Sequence, residues 1–265
     1  MDAAAVAGRQ PRARPGVAPD TRGEGELAFH TRGGPLVVAC GLVGGAGAST
    51  LAYLLARRAA RHSTAPVLLA ELQPQAGLAA IAGTAGPLGL GELVEAVDHE
   101  QEVATPFAEL PGGLRLIASA KPTVAVSPPA AGLAQVLADA HEAHGLVVVD
   151  AGQLAGPDAD LLLAAASHVL FVLPASVPAL RRAELLAAGG VLNRAGEAFA
   201  TLVAVATRPG RVAQIKSLRR LAERHVDRLL LIPHVPELAA GQHDHADARL
   251  EDTFATLATL LRRRR

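Results

Sequence analysis

Residues 37–51 carry the densest chemistry in the chain: an apolar run enters a turn with Gly44, Gly45 and Gly47, and the hydroxyl pair Ser49 and Thr50 follows. An apolar run, a glycine turn and hydroxyls opening a helix make a phosphate cradle, because helix N-terminal N–H groups are unpaired and point at bound anions. The common form of this loop, G-x-x-x-x-G-K-[ST], adds a lysine that reaches the β/γ oxygens and a hydroxyl for Mg²⁺. Here Ala48 stands at the lysine position and Leu42 at the first glycine. The backbone part of the site is intact and its fixed cation is missing. A second candidate lies at residues 146–152, where a hydrophobic run ends in Asp150. A strand-end aspartate after such a loop has the Walker B layout and would hold Mg²⁺ through water.

Strand–helix alternation must position these groups. Expected strands are 36–41, 66–71, 114–118, 145–150, 168–173, 200–206 and 228–232. Expected helices are 49–62, 75–82, 89–98, 130–143, 158–166, 178–193, 210–225 and 247–262. The strands are apolar on both faces, which predicts one α/β domain: a doubly wound, mostly parallel sheet with helices on both sides. Residues 1–34 are rich in Arg, Pro, Gly and Ala without periodicity and are expected to be a disordered arm, so the folded domain is drawn over 35–265.

Composition narrows the function. The formal net charge is zero, so no global field draws the chain to nucleic acid, and aromatics at 2% leave little surface for stacking bases. No apolar stretch reaches the roughly 18 residues of a membrane span. The single cysteine, Cys40, falls in the first strand and reads as a core residue, which fits the cytoplasm. Of 25 basic residues only Lys121 and Lys216 are lysines, a bias that would explain an arginine at position 48 but not an alanine.

The loop, together with residues 67–78 after the second strand, resembles the MinD/ParA group of P-loop ATPases, whose loop reads K-G-G-x-G-K-[ST]-T and whose next strand ends in D-x-D-P-Q. The resemblance extends over about residues 35–238. Under it, the family's signature lysine falls on Val43 and its Walker lysine on Ala48. The Mg²⁺-ligating hydroxyl falls on Ser49, the catalytic aspartate on Glu71 and the second aspartate on Gln73, while Pro74 and Gln75 match. Thr207 and Arg208 stand where the family places a base-contacting Asn, and Pro233 belongs to the loop beside the adenine. The variant G-G-x-G-A-S-T is most similar to the CpaE/TadZ branch, including septum-site-determining proteins, which positions pilus or division machinery.

The resemblance implies ATP or ADP with Mg²⁺ as cofactor, a homodimer, and protein partners from pilus, secretion or division machinery. It also implies a protein at the cytoplasmic side of the cell, polar or peripheral to the membrane. Each missing phosphate-binding cation costs about 3–4 kcal/mol of transition-state stabilisation, so a pseudo-ATPase or very weak ATPase is expected, with Glu71 as the displaced catalytic carboxylate. The alternative is an active ATP-dependent switch for DNA partition or membrane positioning that recruits Lys121 or Arg208. Two surfaces remain open. The basic stretch 210–225 would contact DNA non-specifically or be a solvated face. The stretch 247–265, with Leu250, Phe254, Leu257 and Leu261 on one stripe, would meet lipid or complete the core. The run 241–246 reads as a surface loop rather than a metal site.

Overall fold

The computed structural model describes residues 27–262 apart from 73–76, 102, 104–105, 120–129, 154–156, 211, 213, 240 and 244–248. Eight strands form one sheet: β1 (Leu36–Gly41), β2 (Val67–Glu71), β3 (Ala108–Leu110), β4 (Leu114–Ile117), β5 (Leu146–Gln153), β6 (His168–Pro174), β7 (Phe199–Val205) and β8 (Arg228–Ile232). Their order across the sheet is β3-β4-β2-β5-β1-β6-β7-β8, and every pairing but β3–β4 is parallel. The central strands are buried along almost their whole length. This is why they read as continuous Val/Leu runs rather than as alternating ones.

Helices cover both faces. On one side lie α1 (Ala48–His62), α2 (Gly77–Ala82) and α9 (Glu251–Leu261). On the other lie α3 (Leu90–Asp98), α4 (Ala130–Ala143), α5 (Pro157–Ala165), α6 (Val177–Ala188) and α7 (Ile215–His225). The short α8 (Pro236–Ala239) precedes α9. Each face has its own apolar cluster, one on Phe171 with Leu36, Val38 and Cys40 of β1, the other on Leu54, Leu55 and Phe254 with Val37 and Ala39.

Four expectations are corrected. The arm drawn over 1–34 extends too far: Leu27 is fully buried, the Phe29 N–H donates to Ser63 Oγ at 2.8 Å, and the Ala65 N–H donates to the Phe29 carbonyl at 3.0 Å. Residues 1–26 lie outside the described chain. Strand β3 went unread because three residues, Ala-Glu-Leu, carry no β-branched signal; they pair with β4 through a turn at Gly112 and Gly113, both at positive φ. Helix α6 ends at Ala188 rather than 193, stopped by Gly189 and by Gly190 at φ 78°, and a 3₁₀ turn covers Val191–Ala195. Helix α7 begins at Ile215 rather than 210, because Pro209 and Gly210 (φ 103°) break the pattern.

Between its two readings, the terminal segment falls to the core. Leu250, Phe254, Leu257 and Leu261 are buried in the cluster beneath α1, and Arg58 pairs with Glu251 at 2.6 Å. His168 Nε2 lies 3.0 Å from the Leu260 carbonyl and ties the end of α9 to β6. The described residues of the apolar stripe, Leu250, Phe254, Leu257 and Leu261, are therefore turned to the sheet. Among the described residues no helix is long and apolar enough to cross a membrane.

Candidate nucleotide site

The cleft forms where β1, β2 and β5 end. Leaving β1, the chain is held by the Leu42 N–H donating to the Val172 carbonyl at 2.8 Å, and it then turns through residues 43–47. Gly45 (φ 67°) and Gly47 (φ 89°) adopt left-handed backbone that glycine alone takes cheaply. Gly47 is the N-cap of α1 and has no side chain to bond the first turn. The helix thus presents Ala48, Ser49 and Thr50 with their N–H groups unclaimed by a capping side chain, the condition for anion binding. Around this turn lies a cavity of about 910 Å³, lined by Gly44, Gly45, Gly47, Ala48, Ser49 and Thr50 together with Glu71, Gly77, Ile81, Asp150 and Gln153. Its size is that of a small-molecule site.

Parallel register brings the two carboxylates together. Glu71, the last residue of β2, and Asp150, three residues before the end of β5, are cross-strand partners, and the Leu72 N–H donates to the Asp150 carbonyl at 2.9 Å. Asp150 Oδ1 accepts from the Gly152 N–H at 3.0 Å, and the Ser49 hydroxyl donates to the same carboxylate. Burial raises the Asp150 pKa above its usual range, partly offset by those two bonds. Glu71 Oε1 accepts from the N–H groups of Gly77 (2.9 Å) and Leu78 (3.3 Å), capping α2. Its Oε2 is buried without a partner. Desolvation, reinforced by the charge on Asp150, pushes Glu71 up to about 6 despite those backbone bonds.

The sequence-predicted groups sort cleanly. Gly44, Gly45, Gly47, Ala48, Ser49, Thr50, Glu71 and Asp150 share the cleft. Thr207, Arg208 and Pro233 are exposed in the loops after β7 and β8 and do not line it. Gln73, Pro74, Gln75 and Lys121 lie outside the described residues. Ala48 is 7% exposed and packs into the α1-side core. Among the described lining residues there are two carboxylates and no lysine, arginine or histidine. Gln153 and Gly77 were missed. A Cβ on Gly44 would sit 3.1 Å from Gln153 Nε2, and one on Gly77 would sit 3.3 Å from Glu71 Oε1. The position of Gln153, three residues beyond Asp150 on the same strand, was the available signal.

Cys40 is fully buried, its Sγ 3.6 Å from the Leu170 carbonyl, and burial pushes its thiol pKa well up, as befits a core residue. Among the described residues no cluster of three His, Cys, Asp or Glu could hold a metal. For a hard divalent ion accompanied by phosphate, Ser49 Oγ, the Asp150 carboxylate and the unpartnered Glu71 Oε2 supply an all-oxygen donor set, which fits Mg²⁺.

No protein-family model and no curated protein matches the chain. Solved structures do. A ParA family ATPase from Chlorobium tepidum superposes with a TM-score of 0.68 at 17% identity, covering 85% of this chain and 98% of that one. The chain has the fold of these ATPases. A McdA variant from Cyanothece in complex with ATP gives a TM-score of 0.61 at 16% identity, over 90% of this chain and 97% of its own. The septum site-determining protein MinD from Pyrococcus horikoshii, complexed with Mg-ADP, gives 0.62 at 14% identity, over 86% and 95%. The architecture is that of a MinD/ParA-like P-loop NTPase, near full length on both sides of each comparison.

Proposed function

We propose that this chain is a MinD/ParA-like positioning or scaffold protein of the CpaE/TadZ type, serving pilus, secretion or septum machinery, with little or no ATP hydrolysis. It acts as a homodimer at the cytoplasmic side of the cell, at a pole or at the membrane periphery. One observation carries this function: the phosphate cradle keeps its backbone, while Val43 and Ala48 occupy both lysine positions and no cation lines the described cleft. Phosphate oxygens entering there meet the N–H groups of Ala48, Ser49 and Thr50 on one side and two carboxylates on the other. Nucleotide would therefore bind only with Mg²⁺, held by Ser49 and Asp150, as a structural ligand or a slow switch.

Hydrolysis needs preorganised positive charge on the γ-oxygens, and losing two such groups at about 3–4 kcal/mol each leaves a rate near background. Glu71 is further handicapped as the water-orienting group, because one of its oxygens is committed to the N-terminus of α2.

The test pairs calorimetric titration of ATP, with and without Mg²⁺, with a single-turnover hydrolysis assay. Mg²⁺-dependent binding without turnover is the expected result. Turnover matching that of lysine-bearing relatives, lost in Ser49→Ala, would overturn it. If Lys121→Ala or Arg208→Ala abolished such turnover, an ATP-driven partition or positioning switch would replace the scaffold function.

A further inference from the structure

The side of the molecule formed by α6 and α7 differs from the rest of the surface. These helices pack side by side, and both bury their inner faces in the same apolar cluster, through Leu180 and Ala183 on α6 and Leu218 and Leu221 on α7. Their outer faces carry six exposed cations: Arg181, Arg182, Lys216, Arg219, Arg220 and Arg224. Only Glu184 and Glu223 oppose them there. None of the six makes an ion pair among the described residues, whereas Arg58, Arg115, Arg194 and Arg249 each pair with a carboxylate. A protein of zero formal net charge has thus gathered unpaired positive charge on one wall.

The same wall is apolar where solvent would favour polarity. Among the described residues only three large hydrophobic side chains are exposed, and two belong to α6: Leu185 at 67% and Val177 at 45%. Leu185 lies one turn beyond Arg181 on the outer face, so the apolar knob stands among the cations. A purely solvated basic face would gain nothing from an exposed leucine, and a phosphate backbone would bury none of it.

We propose that the α6/α7 wall docks an acidic amphipathic helix of a partner protein. The partner's apolar stripe would cover Val177 and Leu185, and its flanking carboxylates would face the six cations. Charge complementarity selects this occupant. A second copy meeting through the same wall would oppose like charges. The chain's own segment 1–26 carries four arginines against four carboxylates and has no acidic excess to offer. The proposal does not depend on whether the phosphate cleft is filled.

The test uses the full chain without nucleotide and three fluorescent probes at low ionic strength. These are a helical peptide of about 18 residues with leucines on one stripe and flanking glutamates, the same peptide with its leucines replaced by serine, and a duplex DNA of matched charge. The leucine peptide should bind at least about tenfold more tightly than the other two. Leu185→Ala and the pair Arg220→Glu with Arg224→Glu should each weaken it by about tenfold or more. All of these positions are exposed, and unchanged circular dichroism would show the variants folded. Failure of the leucine peptide to bind overturns the proposal. So does duplex binding of equal strength that Leu185→Ala leaves unaltered, which would make the wall a nucleic-acid surface.

Discussion

Glu71 is a carboxylate held against its own chemistry. It is 6% exposed, faces Asp150 across β2 and β5, and has one oxygen without a partner. Its folded pKa of about 6 lies above the ordinary 4.5, so the neutral form is favoured by folding. The stability linked to this proton is fully present below pH 4.5 and is lost as pH rises through about 6. Glu71→Gln keeps an acceptor for Gly77 and Leu78 and removes the charge. In urea denaturation it should match the parent near pH 4.5 and exceed it by about 2 kcal/mol above pH 7. A difference that stays flat across that range would show that Glu71 is not desolvated. Ala48 is the other decisive position. Restoring the cation with Ala48→Lys should tighten Mg·ATP binding by about tenfold or more, the gain expected from one charge-assisted phosphate contact. Unchanged affinity in calorimetry would mean that the loop is closed to phosphate for another reason.

At the scale of elements, α9 separates two functions that its sequence allowed. An amphipathic stripe ending in arginines suits a membrane surface or a final core helix, and periodicity alone does not distinguish them. With Phe254 and Leu257 packed under α1, the helix works as a cover for the sheet. Phe254→Ala should therefore cost about 3–5 kcal/mol of stability in a denaturant titration. Arg58→Ala, which removes the ion pair with Glu251 and the guanidinium 5.9 Å over the Phe254 ring, should cost no more than about 2 kcal/mol. If Phe254→Ala instead left stability intact and reduced vesicle binding, α9 would be a lipid helix. His144 at the end of α4 adds a pH term of opposite sign to that of Glu71. Its pKa is lowered mainly by burial, so its contribution is present above the ordinary histidine value and declines as pH falls below it.

For the molecule as a whole, the edge of the domain is set by packing rather than by composition. The segment from Leu27 to Gly34 bridges α1 and α4. Phe29 bonds the chain beyond α1, and the N–H groups of Gly33 and Gly34 donate to the His141 and His144 carbonyls. A chain beginning at residue 35 should unfold about 3 kcal/mol more easily than one beginning at residue 27, because it loses the buried Leu27 and the half-buried Phe29. Equal melting temperatures would return the boundary to residue 34.

Local order decided what was legible from the sequence alone. The βα alternation, the glycine turn, Ser49 and the placing of Asp150 on an apolar strand all follow from patterns a few residues long, because hydrogen bonding and left-handed φ act over that range, although that strand runs on to Gln153 rather than ending at 150. The same range concealed β3, too short for a signal, and the early end of α6 and late start of α7, where Gly190 and Gly210 prevailed over the surrounding propensity. The tertiary structure alone could decide the rest, since those features are distances between residues far apart in the chain. Parallel register sets Glu71 opposite Asp150. The second face of the sheet claims the stripe of α9. Two crossover helices, separated by a strand, come to lie together and gather six cations around Leu185.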